Sequence, residues 1–215
     1  EWVGRYANVF ALRLPLFDPD LFIESWVGLF GAVFSLPGLL VLFGLMALGA
    51  GTLASHAGEV AVRAETLLHP ANLPLFYLGL VLLKVVHEFG HAFACKRFAR
   101  VEGSGGEVHA MGLMFVVFLP LPYIDASSAW GLRDKWHRMI VGAAGMLVEL
   151  ACAGVAALVW ARTGPGLVND LAYDFIWIAS LSTVLFNGNP FLRYDGYYIL
   201  SDLLEIPNLG ARANE

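Results

Sequence analysis

Charge is the scarce ingredient of this sequence. Only 14% of its 215 residues are charged, against about 25% in an average soluble domain. That scarcity excludes a disordered or solvated chain. The balance is slightly acidic, with a net charge of −5, so no general basic surface awaits the phosphates of a nucleic acid. Cysteine is nearly absent. Cys95 and Cys152 lie in apolar stretches and read as buried thiols, which excludes a disulfide framework. Histidine occurs six times with a single His-x-x-x-His spacing, which excludes the several histidine boxes of a membrane di-iron oxygenase. No signal peptide is visible, because residues 1–24 mix charge with aromatics, and no internal repeat is seen. The chain opens at Glu1 and stops at Ala213-Asn214-Glu215, as expected of a piece of a longer protein.

What the sequence has in place of charge is apolar length. Hydrophobic residues make up 58%, and the mean hydropathy is +0.67. A helix crossing a hydrocarbon core needs about 20 apolar residues. The charge-poor runs predict an all-α polytopic membrane protein with about four transmembrane helices, near 26–54, 72–97, 138–161 and 172–190. A fifth run, Val108–Ile124, contains Pro120 and Pro122 and follows Gly103-Ser104-Gly105-Gly106. It suits a re-entrant or β-like segment near 108–124 better than a membrane helix. Asp18-Pro19-Asp20 reads as an N-cap with proline at the first helical position, leading an interfacial segment over residues 1–25.

Positive charge sets the orientation. With the C-terminal end of the second helix in the cytoplasm, ten of the 13 Lys and Arg residues lie inside. Arg63 and Arg162 fall outside, and Lys84 lies within a span. This is a strong positive-inside bias.

The sharpest motif is His87-Glu88-Phe89-Gly90-His91. On a helix the two histidines sit about 40° apart around the axis and about 6 Å along it. Both imidazoles can therefore reach one Zn²⁺. Glu88 lies at the edge of the same site, placed to take a proton from activated water. Ionisable groups inside a membrane are expensive and mark function, and this span carries Lys84, His87, Glu88 and His91 together. Asp195 is the natural third ligand, in Asn187-Gly188-Asn189-Pro190-Phe191-Leu192-Arg193-Tyr194-Asp195-Gly196. Gly196 lets the backbone turn close to the metal. Pro190 breaks the helix and frees carbonyls beside a wet cavity.

HEFGH on a membrane helix, followed by N-x-x-P-x-x-x-x-D-G in a later one, resembles the site-2 protease family of intramembrane zinc metalloproteases. The flanks HEFGHAFACKRF, PYIDASSAW, VGAAGMLVEL and FNGNPFLRYDGYYILSDLLEIPNL are similar to its bacterial peptide zinc metalloprotease branch. The resemblance covers about residues 72–209. It implies a three-helix core, His87, His91 and Asp195 as zinc ligands, Glu88 as general base, and cleavage within the bilayer. It also implies a substrate-contacting role for Asn187. One departure stands out. Where many members carry G-P-x-x-N, this chain has Gly145-Met146-Leu147-Val148-Glu149. Glu149 is expected either to pair with Lys84 or to accept a hydrogen bond from a ligand histidine.

The resulting expectation is a transmembrane metalloprotease domain over 26–215 with a catalytic core at 72–200. Its cofactor is Zn²⁺, and its partners are the lipid bilayer and a hydrophobic peptide or transmembrane-helix substrate. Export or regulatory membrane proteins are further partners. The location is the bacterial inner membrane, with the site towards the cytoplasm. The apolar run 108–119 would hold an unwound substrate by β-augmentation. The competing expectation is a non-proteolytic membrane component that binds peptide or metal in a peptide modification or export system.

Overall fold

The structure is a computed structural model that describes residues 7–8, 11–103, 105–116 and 119–206. Seven α-helices follow in order among these residues. They are α1 Asp20–Phe30, α2 Leu36–Ser55, α3 Ala57–Arg63, α4 Leu73–Glu102, α5 Lys135–Trp160, α6 Leu167–Leu181 and α7 Asp195–Leu204. Four strands, β1 Ala7–Asn8, β2 Ala11–Phe17, β3 Met111–Val116 and β4 Leu119–Ile124, form one antiparallel sheet in the order β1-β2-β3-β4.

Three helices are long and apolar enough to cross a membrane: α2, α4 and α5. The fourth expected span is different. Its α-helical part, α6, has 15 residues and continues as a π-helical turn, Ser182–Asn187. That α-helical length falls short of the roughly 20 residues a span requires. Polar Asn169 and Asp174 are buried along it, facing protein.

Helix α5 is the centre, packing on α2, α4, α6 and α7. The Asp134 carboxylate caps it, accepting from the Trp136 N–H at 2.8 Å. Small residues let its neighbours approach. Gly90 of α4 meets the backbone of Ala144 and Gly145, and Gly49 of α2 meets that of Gly154. Helix α4 has Pro74 in its first turn and ends on Gly103, whose φ of 67° is the left-handed stop that glycine supplies.

The β-like reading of 108–124 holds: β3 and β4 pair from Met111↔Ile124 to Val116↔Leu119. Strand β2 pairs with β3, Arg13 opposite Met114, and α1 runs through residue 26. The N-terminal stretch is thus built into the sheet and docked on α4. Ile23 and Val27 are buried in the same apolar cluster as Phe93, Phe98 and Val108. Lys96 ties Asp20 at 2.8 Å and Glu24 at 3.1 Å. Pro19 is the N-cap residue rather than the first helical one, and the Asp18 carboxylate accepts from the Asp20 N–H at 2.9 Å.

Candidate metal centre

His87 and His91 lie one turn apart on α4, and Asp195 opens α7. The structure brings all three together. His91 Nε2 is 3.1 Å from His87 Nε2. Asp195 Oδ2 is 3.2 Å from His87 Nε2 and 3.5 Å from His91 Nε2. These atoms form a cluster that can hold a metal ion.

The tautomers follow from the partners on the far side of each ring. His91 Nδ1 lies 2.7 Å from the Val141 carbonyl, which only accepts, so Nδ1 carries the hydrogen. His87 Nδ1 lies 2.7 Å from Glu149 Oε2 and donates to it in the same way. Both Nε2 lone pairs therefore face inward. Asp195 Oδ2 faces them, buried and without a hydrogen-bond partner. Three lone pairs converging on one point repel one another unless a cation sits between them.

The surroundings are specific. A Cβ on Gly145 would lie 2.7 Å from His87 Nε2 and Cε1 and would also strike His91, so α5 needs a glycine here. One turn further, Glu149 is fully buried. Besides His87 it faces Lys84 Nζ at 3.3 Å and 3.4 Å, and Asn187 Nδ2 at 3.4 Å. Lys84 also donates to Ser182 Oγ at 2.6 Å. Both expected roles of Glu149 thus occur in one network. The Asn187 amide donates to Glu149 and Ser182. The π-turn that ends at Asn187 sets this direction, with Gly188 N–H bonding Thr183 O at 2.7 Å. Pro190 lies in the loop that follows, short of Asp195. Gly196 is needed for a different reason than closeness to a metal. A Cβ there would lie 2.7 Å from the Gly188 backbone, so the glycine seats α7 on the end of the π-turn.

Glu88 follows His87 on α4. Its Oε2 accepts from the Ile124 N–H at 3.0 Å. It lines a cavity of about 340 Å³ together with His91, Asp195, Arg13 and Arg193. The cavity opens beside two of the three donors, His91 and Asp195, while His87 is buried. Arg13, from β2, was not an expected site residue. Nothing local in the sequence signals a strand that pairs with residues a hundred positions away.

The hope that 108–119 holds substrate by strand addition fails for β3. Both of its edges are taken, by β2 and β4. The outer edge is that of β4, and it is unusual. Tyr77 Oη donates to the Pro120 carbonyl at 2.7 Å, and the Ile124 N–H goes to Glu88. Backbone groups alternate sides along a strand. Residues 120, 122 and 124 therefore face outward, and two of them are prolines with no N–H. This edge can accept hydrogen bonds but has no free donor.

The remaining candidate ligands lie elsewhere. His109 pairs with Asp18, His137 with Glu102, and Cys95 Sγ sits 3.4 Å from Ser128 Oγ. A scan of family models and searches of curated proteins and of solved structures return no match to this chain.

Proposed function

We propose that this chain is a zinc-dependent peptidase embedded in a bilayer, working in the manner of the site-2 proteases it resembles. The observation that carries the reading is the converging trio of His87, His91 and Asp195 beside Glu88. Four ligands placed tetrahedrally at about 2.0–2.1 Å from zinc are separated by about 3.3–3.4 Å. The three donors here are 3.1, 3.2 and 3.5 Å apart. With Glu149 paired to Lys84, the carboxylates of Asp195 and Glu88 balance a divalent cation, as a low-dielectric site favours.

A zinc ion held there supplies Lewis acidity and lowers the pKa of water at its open position. The chain does the rest. Glu88 Oε2 is held by the Ile124 N–H, leaving Oε1 to take the proton from attacking water and deliver it to the leaving amine. Glu149 and Val141 fix the two rings so that Nε2 faces the ion. The substrate unwinds to expose its scissile carbonyl, and its N–H groups find acceptors on the β4 edge. Helices α2, α4 and α5, with α6 and its π-turn, hold this chemistry in the membrane. The excess of Lys and Arg at one side of these helices supports a cavity facing the cytoplasm.

Metal analysis of the purified chain tests the site. Wild type should carry about one zinc, and His87→Ala should carry none. Comparing membrane peptides in cells with wild type and Glu88→Gln tests the activity. Peptides that vanish only with wild type support proteolysis. Cleavage that survives Glu88→Gln refutes the mechanism. Bound zinc with identical peptides in both favours the non-proteolytic reading.

A further inference from the structure

Four acids and three arginines line the cavity beside the candidate metal site. Glu88 accepts from Ile124, Asp125 from the Ser127 N–H at 3.0 Å, and Asp195 faces the histidines. Asp202 accepts from Arg138 Nε at 2.6 Å, and Arg138 also reaches the Leu132 carbonyl at 2.9 Å. Two cations lining the same cavity have no acid partner among the described residues: Arg13 and Arg193. Elsewhere on this face Lys96, Arg100 and Lys135 each meet a carboxylate. Arg13 comes from β2 and its guanidinium lies 5.6 Å from the centre of the Tyr123 ring. Stacking on a ring orients the fork and leaves its N–H groups for a ligand. Arg193 comes from the loop before α7, two residues before Asp195. With Glu88 and Asp195 set against a divalent ion and Asp202 against Arg138, a strand and a loop thus bring two guanidinium groups to a cavity where Asp125 is the one remaining acid.

We propose that Arg13 and Arg193 form a clamp for a carboxylate on the peptide, either an acidic side chain near the scissile bond or a free C-terminus. The proposal rests on the peptidase reading above. Guanidinium and carboxylate match in geometry as bidentate donors and acceptors, and such pairs are stronger than neutral hydrogen bonds. The clamp gives the site a preference that its apolar surroundings cannot give, since apolar contacts barely distinguish one hydrophobic segment from another.

The test uses the full chain in neutral detergent, loaded with cobalt so that the metal reports by its absorption spectrum. The probes are the monohydroxamates of succinic, glutaric and adipic acid, each beside its terminal amide. The hydroxamate seats on the metal, and the chain carries the carboxylate or amide into the cavity. The acid of best-matched length should bind at least about tenfold more tightly than its amide. In the Arg13→Gln/Arg193→Gln double variant the ratio should fall to about one, with an unchanged cobalt spectrum and unchanged amide affinity. A ratio near one in wild type at all three lengths overturns the clamp while leaving the metal site intact. So does a ratio that survives the double variant, or one abolished by phosphatidylglycerol, which would assign the arginines to lipid phosphates. A wild-type chain that gives no cobalt spectrum refutes the metal site and the clamp with it. Peptides ending in an amide but carrying glutamate, compared with peptides ending in a free leucine, then separate the two carboxylate sources.

Discussion

Removing the charge at position 149 probes the site and the fold at once. Glu149 is 0% exposed, and the Lys84 side chain is 14% exposed. Their closest approach is 3.3 Å, at which unit charges attract by about 5 kcal/mol in an effective dielectric of ~20. Glu149→Gln keeps an oxygen for the His87 N–H but leaves Lys84 charged without an anion. Losing one partner of such a pair costs about 3–5 kcal/mol. Lys84→Met strands the carboxylate and should cost a similar amount. The double variant removes both charges together and should recover much of the loss, giving a coupling of about 2–3 kcal/mol. Equilibrium unfolding in mixed micelles measures all four corners of the cycle. Metal affinity is a second readout that a purely structural pair would not move. Glu149→Leu takes away the acceptor of the His87 N–H and should weaken zinc about 10–100-fold in a chelator competition. Additive effects in the cycle, or wild-type zinc affinity in Glu149→Leu, would refute the network as drawn.

Gly145→Ala should abolish zinc binding while costing only about 1–3 kcal/mol of stability, because its Cβ meets the two ligand rings rather than backbone. Zinc content and circular dichroism on the same sample check this. Gly196→Ala should weaken zinc by pushing α7, and Asp195 with it, off the Gly188 backbone. A variant that binds normally would show that α7 can shift without moving its first residue. Burial opposes ionisation of Asp20, but Lys96 and the Val108 N–H outweigh it and hold the carboxyl below its ordinary value. That stability is present above the unfolded value near 3.9 and is lost as pH falls through the lower folded value. Asp20→Asn should therefore be less stable than wild type at pH 7, and the gap should close in strong acid.

The His87, His91 and Asp195 cluster was legible because its main parts are local. His87, Glu88 and His91 are fixed by one helical turn, and Asp195 sits in a motif with its own glycine and proline. Glu149 stood out because a carboxylate in an apolar run needs a reason. Strand β2 was not legible. Its partner β3 lies a hundred residues on, and its Leu12-Arg13-Leu14-Pro15-Leu16 alternation is short and interrupted by a proline. Missing β2 meant missing Arg13. The end of the fourth span was hidden for another reason. Apolar composition does not reveal that the backbone loosens to a π-turn at Ser182, and this turn is what directs Asn187 to Glu149 instead of the cavity.

The prolines of β4 bear on how this protein tolerates its own kind. A bare strand edge is a template for neighbours, and membranes crowd copies together. Two copies meeting along this edge would set carbonyl against carbonyl, because Pro120 and Pro122 bring no hydrogens and that of Ile124 is spent on Glu88. Such a pair cannot zip. Helix α4 meets the same edge, through Tyr77 at Pro120 and Glu88 at Ile124, and Pro122 is buried. The edge is thus closed to a second copy twice over, by that cover and by two residues that lack an N–H.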